Sequence, residues 1–221
     1  MGSVKVKQYT QPMARNKETN MKQVTIETFK FNELSDEAKQ IAIDQYRESD
    51  HLDYDWFDYS KSDFHSILEL IGFTNIDSGF SGFCSQGDGA NFIGDYSYKA
   101  GCLKAIKEHA PTGVQLHSIV QGIVSHMKDY GYKLECHITR FNTRYEHSNT
   151  MSFDWTMQSG ECVDWKNGFV EDEINQLFRD LADWYYRQLE KEHKYLNSDE
   201  CIAELLESND YDYLESGKQD F

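Results

Sequence analysis

Residues 79–98 of the 221-residue chain read GFSGFCSQGDGANFIGDYSY, a dense mixture of glycine, aromatic and polar residues. Glycine is favoured where the backbone dihedral angle φ is positive, and Asp-Gly is a strong signal for a hairpin turn. The pattern therefore predicts two strands, residues 73–84 and 90–98, joined by a bend at residues 86–89. We expect Gly87 or Gly89 to take a positive φ in that bend.

A second pair of segments, residues 133–143 and 150–158, also alternates between apolar and polar positions. This period of two indicates another hairpin, linked by residues 144–149. Helical periodicity covers most of the remaining chain. The order of elements predicts an α+β fold, with a mostly antiparallel sheet built from two hairpins, packed by paired helices and one long C-terminal helix.

The long helix is expected from residue 170 to residue 195, and its apolar stripe should pack on the sheet. The stripe consists of Ile174, Leu177, Phe178, Leu181, Trp184, Tyr185 and Leu189. Near the other end of the chain, Ser35 is a typical N-cap residue, followed by acidic residues that favour a first helical turn. The helix that it begins should place Ala38, Ile41, Ala42 and Tyr46 on one face.

Residues 1–21 lack periodicity and are predicted to be a flexible leader. A first strand is expected around Val24 and Ile26, and the acidic tail, residues 210–221, is a candidate edge strand. No linker composition interrupts the sequence after the leader. We therefore predict a single α+β domain over residues 22–221.

The formal net charge of −16 narrows the classes of partner. It disfavours direct binding to nucleic-acid phosphates, which needs clustered Lys and Arg. It permits a basic protein partner or mimicry of a nucleic acid's charge, although solubility alone also explains it. Asp53, Asp55 and Asp58 are the candidate partner-binding acids. The alternatives for them are a solvated helix start or, with Asp50, His51 and His65, a divalent metal site.

Motifs for chemistry are scarce in this sequence. Phosphate-loop, nucleophile-elbow and HExxH patterns are missing, and His137-Ile138-Thr139 is only half of a paired-HxT phosphoesterase motif. No cofactor is indicated, and an enzymatic role is disfavoured. Apolar runs are too short to span a membrane, and the five scattered cysteines suggest neither a disulfide framework nor a zinc site. The simplest compartment is a reducing cytoplasm.

Three segments carry a resemblance to a known family: SGFCSQGDGANF, FNELSDEAKQIAIDQYRES and YRQLEKEHKYLNSDECIAELLESNDYDYLESGK. They resemble a family of small tailed-bacteriophage proteins with the motif SGF-(aromatic)-SQGDGA-x-F, some of which carry an antitoxin label. Cys84 stands where that family usually has an aromatic residue. The resemblance covers roughly residues 22–218 and implies a phage protein that works in the bacterial cytoplasm, without established catalytic residues.

Two functional hypotheses follow from the sequence. The first is an interaction protein that neutralises a host toxin or defence effector by binding it, helped by the acidic surface. The second is a nucleotide-binding or other small-molecule-binding domain whose pocket lies at the SQGDGA turn. Its candidate ligand-binding residues are Ser81, Ser85, Gln86, Asp88 and Asn91. A purely structural hairpin turn is the alternative for these residues.

Overall fold

The computed structural model describes residues 5–9, 24–49, 52, 55–141, 144–163, 165 and 170–219. The strands are β1 (Lys5–Tyr9), β2 (Val24–Thr28), β3 (Phe73–Ser81), β4 (Gly89–Ser97), β5 (Leu134–Arg140) and β6 (Met151–Met157). The helices are α1 (Asp36–Glu48), α2 (Asp58–Ile71), α3 (Cys102–His109), α4 (Val114–Asp129), α5 (Val170–Leu196) and α6 (Asp199–Ser208). The predicted α+β class is confirmed.

A four-stranded antiparallel sheet in the order β3-β4-β5-β6 organises residues 55–192. Both predicted hairpins are present, β3 with β4 and β5 with β6. The two hairpins join through β4 and β5, where Tyr96 lies opposite Cys136. Cys136 in turn lies opposite Trp155 on β6, so one continuous register crosses these three strands.

One face of this sheet is buried and the other is exposed. Phe92 and Tyr96 of β4 are buried at 0% and 2% exposure. Phe92 meets Phe64 of α2 edge-on, and Tyr96 meets Phe178 of α5. Side chains alternate between the faces of a strand, so Ile93 and Asp95 point away from the helices. This arrangement is the usual one for an antiparallel sheet.

The long helix α5 matches its prediction closely, and its stripe packs on the sheet. Leu181 is completely buried, and Phe178 contacts aromatic rings on β3, β4 and β6. The stripe begins at Ile174 and ends at Leu189, both also completely buried. Gly72 ends α2 with a φ of 122°, as expected for a glycine at a helix C-terminus.

A second set of elements belongs to residues 1–54 and 193–221. Its core contains buried apolar residues of α1, α6 and the segments beside them, namely Phe31, Leu34, Ala38, Ala42, Ile43, Ile202, Leu206 and Tyr213. The expected N-caps Ser35 and Ser198 accept hydrogen bonds from the Ala38 and Cys201 N–H groups. The predicted α1 face is wrong at Ile41, which is 43% exposed.

Within the predicted flexible leader, residues 5–9 form strand β1, which pairs with β2 in antiparallel register. The alternation of Val24 and Ile26 indicated β2, but its partner strand has no strong pattern of its own. The rest of the leader lies outside the described residues. In the acidic tail, Tyr213 forms a single bridge with Phe29 in place of a full edge strand.

The chain clusters into two compact units, residues 55–192 and residues 1–54 with 193–221. The single domain over residues 22–221 stays a prediction. Among the described residues, no helix is both long and apolar enough to cross a lipid bilayer.

The burial of Leu181 gives the first testable prediction. Leu181→Ala should lower the free energy of unfolding by about 2–5 kcal/mol, because truncation leaves a cavity where α5 packs in the core. The measurement is urea denaturation followed by circular dichroism. Leu177→Ala is the matched control, since Leu177 is only half-buried on the same helix and should lose less. Equal losses for the two variants would contradict the packing described above.

Candidate functional site

The glycines of the β3–β4 hairpin lie beneath residues 145–147 of the segment that links β5 to β6. A Cβ atom added to Gly89 would lie 2.6 Å from the His147 Cβ, and one added to Gly79 would lie 2.9 Å from the Glu146 Oε2. A Cβ at Gly87 would lie 3.1 Å from the Tyr145 ring. The glycine-rich sequence therefore leaves room for this segment against the hairpin backbone.

The connection between β3 and β4 is longer than predicted. Strand pairing ends at Ser81 and Gly89, so residues 82–88 form the connection, in place of a tight bend at residues 86–89. Gly87 has a φ of 97°, which confirms the expected positive value, whereas Gly89 lies in β4. The Asp88 carboxylate accepts hydrogen bonds from the backbone N–H groups of Cys84 and Ser85, at 2.9 and 2.6 Å. Asp88 thus stabilises the turn itself.

A buried polar cluster lies next to this turn and centres on Asn91, which is 1% exposed. The Asn91 amide donates to Glu146 Oε2 at 2.6 Å and to Thr150 Oγ1 at 2.8 Å. Arg140 donates to Asn91 Oδ1 at 3.3 Å and to the Asp77 carboxylate at 3.1 Å. Arg140 also pairs with Glu146 at 3.6 Å. The side-chain amide of Asn91 therefore has a partner for both its oxygen and its nitrogen.

The structure divides the five predicted ligand-binding residues. Ser81 and Asn91 both bond Glu146. The Ser81 hydroxyl donates to the Glu146 backbone oxygen at 3.2 Å, and the Asn91 amide donates to its carboxylate. Asp88 bonds within the turn, and Ser85 and Gln86 are exposed at its tip. Sequence reasoning missed three residues of the cluster, Arg140, Glu146 and Thr150. Their proximity to the glycine string arises from the pairing of the two hairpins, so no local pattern marks them.

The predicted acidic site is described only in part. Asp55 and Asp58 are exposed at the start of α2, where the Asp55 backbone oxygen accepts the Asp58 N–H at 2.9 Å. Asp50, His51 and Asp53 lie outside the described residues. His65 bonds the Ser78 hydroxyl at 2.9 Å, and burial lowers its pKa. Within the described ranges, no group of three or more His, Cys, Asp and Glu side chains could hold a metal ion.

The exposed face of the sheet carries a row of charged residues. Asp95 on β4, His137 on β5 and Asp154 on β6 are in register across three strands. His137 Nδ1 lies 2.7 Å from the Asp95 carboxylate, and Asp154 is exposed. Glu135 stands two residues before His137 on the same face of β5. These residues, Asp95, Glu135, His137 and Asp154, are called the acidic sheet face below.

A cavity of about 670 Å³ lies elsewhere, between α2, the α3–α4 connection and α5. None of the five residues predicted to bind a ligand lines it. Beside this cavity, His117 Nε2 of α4 lies 2.8 Å from the Ala110 backbone oxygen. This cavity is called the helix groove below.

Comparison with known protein families identifies a family to which the chain is similar. Residues 56–199 match a family described as a domain of unknown function, DUF8835, and this span includes the whole four-stranded sheet. No curated protein and no solved structure matches the chain.

The glycines of the hairpin give a second prediction. Gly89→Ala should lower the free energy of unfolding by about 1–3 kcal/mol, because the new methyl group overpacks against His147. Gly101→Ala measures the cost of backbone strain without overpacking. Gly101 has a φ of 81°, and no neighbouring atom lies within 4 Å of an added Cβ. Gly87→Ala combines a positive φ with contact to Tyr145 and should lose more stability than Gly101→Ala. The stability of all three variants is measured by thermal and urea denaturation. An unchanged free energy of unfolding in Gly89→Ala would contradict the prediction.

Asp95 gives a third prediction, on pH. A hydrogen bond from the Asn75 amide, and a second from His137, hold the pKa of Asp95 below its ordinary value. A depressed native pKa stabilises the fold above the unfolded pKa, and the gain is lost as pH falls through the native value. Asp95→Asn should therefore be less stable than the parent at pH 7, and the gap should close below about pH 4.

Urea denaturation between pH 7 and pH 2 tests this expectation. The same substitution is also made in an Asn75→Gly variant, which lacks the amide that donates to Asp95. Glycine tolerates the positive φ of 53° at position 75. In that background Asp95→Asn should lose less stability at pH 7. A loss of the same size at every pH would contradict the prediction.

Proposed function

The chain belongs to the DUF8835 family, and we propose that it is an interaction protein that binds a basic surface of a partner protein through acidic residues. The acidic sheet face is the observation that carries this proposal. It is an exposed surface on a rigid element, and its three carboxylates recur on three neighbouring strands. Adjacent strands lie about 4.8 Å apart, so Asp95 and Asp154 are separated by roughly 10 Å.

The hydrogen bonds at the SQGDGA turn support the interaction-protein proposal, because they already engage the polar groups of the turn. Asp88 accepts two backbone N–H groups, and Asn91 bonds Glu146 and Thr150. A ligand at this turn would have to displace bonds that already satisfy these side chains, and leaving such a buried group unpaired costs about 1–3 kcal/mol. The bonding favours a structural role for the motif over the pocket hypothesis.

The net charge supports a basic partner rather than a nucleic acid. At −16 the chain repels phosphate backbones and attracts cationic surfaces. Charge complementarity of this kind chiefly accelerates the encounter of two proteins. Asp53, Asp55 and Asp58 are proposed to add to the attraction.

The resemblance to tailed-bacteriophage proteins supports a more specific proposal about the partner. We propose a phage-encoded protein that acts in the bacterial cytoplasm and neutralises a toxin or defence effector by binding it. Capture of partners from a bacterial lysate with the tagged full-length chain, followed by mass spectrometry, would identify the target. Binding of the purified target would then be followed by stopped-flow kinetics.

The fourth prediction concerns the association rate. Raising the salt concentration from about 50 mM to about 300 mM should slow association several-fold, because the Debye length falls below the separation of the approaching charges. Glu135→Lys/Asp154→Lys should slow it further at low salt while the melting temperature changes little, since Asp154 is exposed and Glu135 is only half-buried. Asp53→Lys/Asp55→Lys/Asp58→Lys tests the acids near α2 in the same way.

Glu200→Lys/Glu207→Lys on α6 is the matched control for the double variant, with the same change of charge on a different element. The role of the acidic sheet face would be overturned if the association rate did not change with salt concentration. It would also be overturned if the control variant slowed association as much as the double variant. Gln86→Ala tests the competing pocket at the SQGDGA turn. Because Gln86 is exposed, this variant should fold and bind the partner normally.

A further inference from the structure

We propose that the helix groove binds a small anion that carries a planar ring, of the size of a nucleoside monophosphate. The groove has a volume of about 670 Å³, within the range of roughly 300–1,000 Å³ that is usual for small-molecule sites. It belongs entirely to residues 55–192 and shares no residue with the acidic sheet face. The inference therefore stands or falls separately from the proposed protein partner.

Two cationic side chains line the groove on α5. Arg187 and Lys191 are one helical turn apart, and both are exposed. Within the part of the chain that the structure describes, neither forms an ion pair, and the Lys191 ammonium only approaches the Gln188 side-chain oxygen at 3.4 Å.

The acidic residues of the groove are already engaged. The Asp63 carboxylate lies 2.8 Å from His109 Nε2, and Glu192 accepts a hydrogen bond from the Ser60 hydroxyl. Each acid thus has a partner within the groove wall. Hydrogen bonding leaves both carboxylates charged, so the preference for an anion rests on the N–H donors of Arg187 and Lys191, which form no ion pair with a described residue. Arg in particular presents planar, paired N–H donors that suit carboxylate and phosphate oxygens.

Aromatic and amide groups complete the lining. The Tyr59 side chain is 83% exposed, which leaves its ring face available to a ligand. Trp184 lies one helical turn before Gln188 on α5, and Gln115 stands across the groove on α4. Aromatic faces stack on flat ligand rings, and amides supply hydrogen bonds that fix orientation. A ligand with a ring next to an anionic group would contact the aromatic side chains and the two cationic side chains at the same time.

Isothermal titration of the full chain with AMP, adenosine and inorganic phosphate tests the proposal. AMP should bind saturably with a Kd below about 1 mM, and more tightly than adenosine or phosphate, because only AMP offers both the ring and the charge. Arg187→Gln and Lys191→Gln should each weaken AMP binding by about tenfold, the usual effect of losing a charge-assisted hydrogen bond. Tyr59→Ser should weaken AMP and adenosine alike.

Lys128→Gln is the matched control, since Lys128 is an exposed lysine on α4 that does not line the groove. Its AMP affinity should equal that of the parent. Because Arg187, Lys191 and Tyr59 are all exposed, melting temperatures of the variants should stay within a degree or two of the parent and report correct folding. The proposal is overturned by any one of three results: no saturable AMP binding up to about 10 mM, equal binding of adenosine, or unchanged affinity in Arg187→Gln/Lys191→Gln.

Discussion

The close approach of residues 145–147 to the glycine-rich hairpin is the contact on which one end of the sheet depends. At Gly89 even a methyl group would collide with His147, so the two segments meet at backbone distance. This proximity brings the Glu146 carboxylate to the buried Asn91 amide and the Arg140 guanidinium. Since Arg140 also reaches Asp77 on β3, the contact ties both hairpins together. A larger residue in the hairpin would disturb the whole cluster.

The two faces of the sheet differ in their side chains, and the proposed binding uses only one of them. One face consists of aromatic residues packed on α2 and α5, which fixes the positions of the strands. Because that face holds the sheet in place, the opposite face is free to carry charge without a role in packing. In the polar cluster at the SQGDGA turn, the side chains and backbone groups satisfy one another's hydrogen bonds.

Local patterns were sufficient to predict the class of fold, both hairpins and the long helix, because alternation and helical spacing are properties of neighbouring residues. They were less successful at the edges of elements. Ile41 fits the expected face of α1 by spacing, yet it is exposed, and Ile43 is buried in its place. The candidate site was harder to predict. Asn91 and Glu146 are 55 residues apart, and the helix groove joins three separate helical segments. Such neighbours are set by tertiary packing, which the sequence does not display locally.

The polar cluster also has a consequence for the order of folding. The hairpin of β3 and β4 pairs residues close in the chain, whereas the Ser81–Glu146 hydrogen bond closes a span of 65 residues. Closing a long span costs more chain entropy than closing a short one, and contacts of this kind form slowly. Until the β5–β6 link arrives, the Asn91 amide is hydrated and the hairpin backbone is open to solvent. We therefore expect the β3–β4 hairpin to form first with its backbone still exposed to water. Its amide hydrogens near Gly89 should gain protection from exchange only in the last stage of folding.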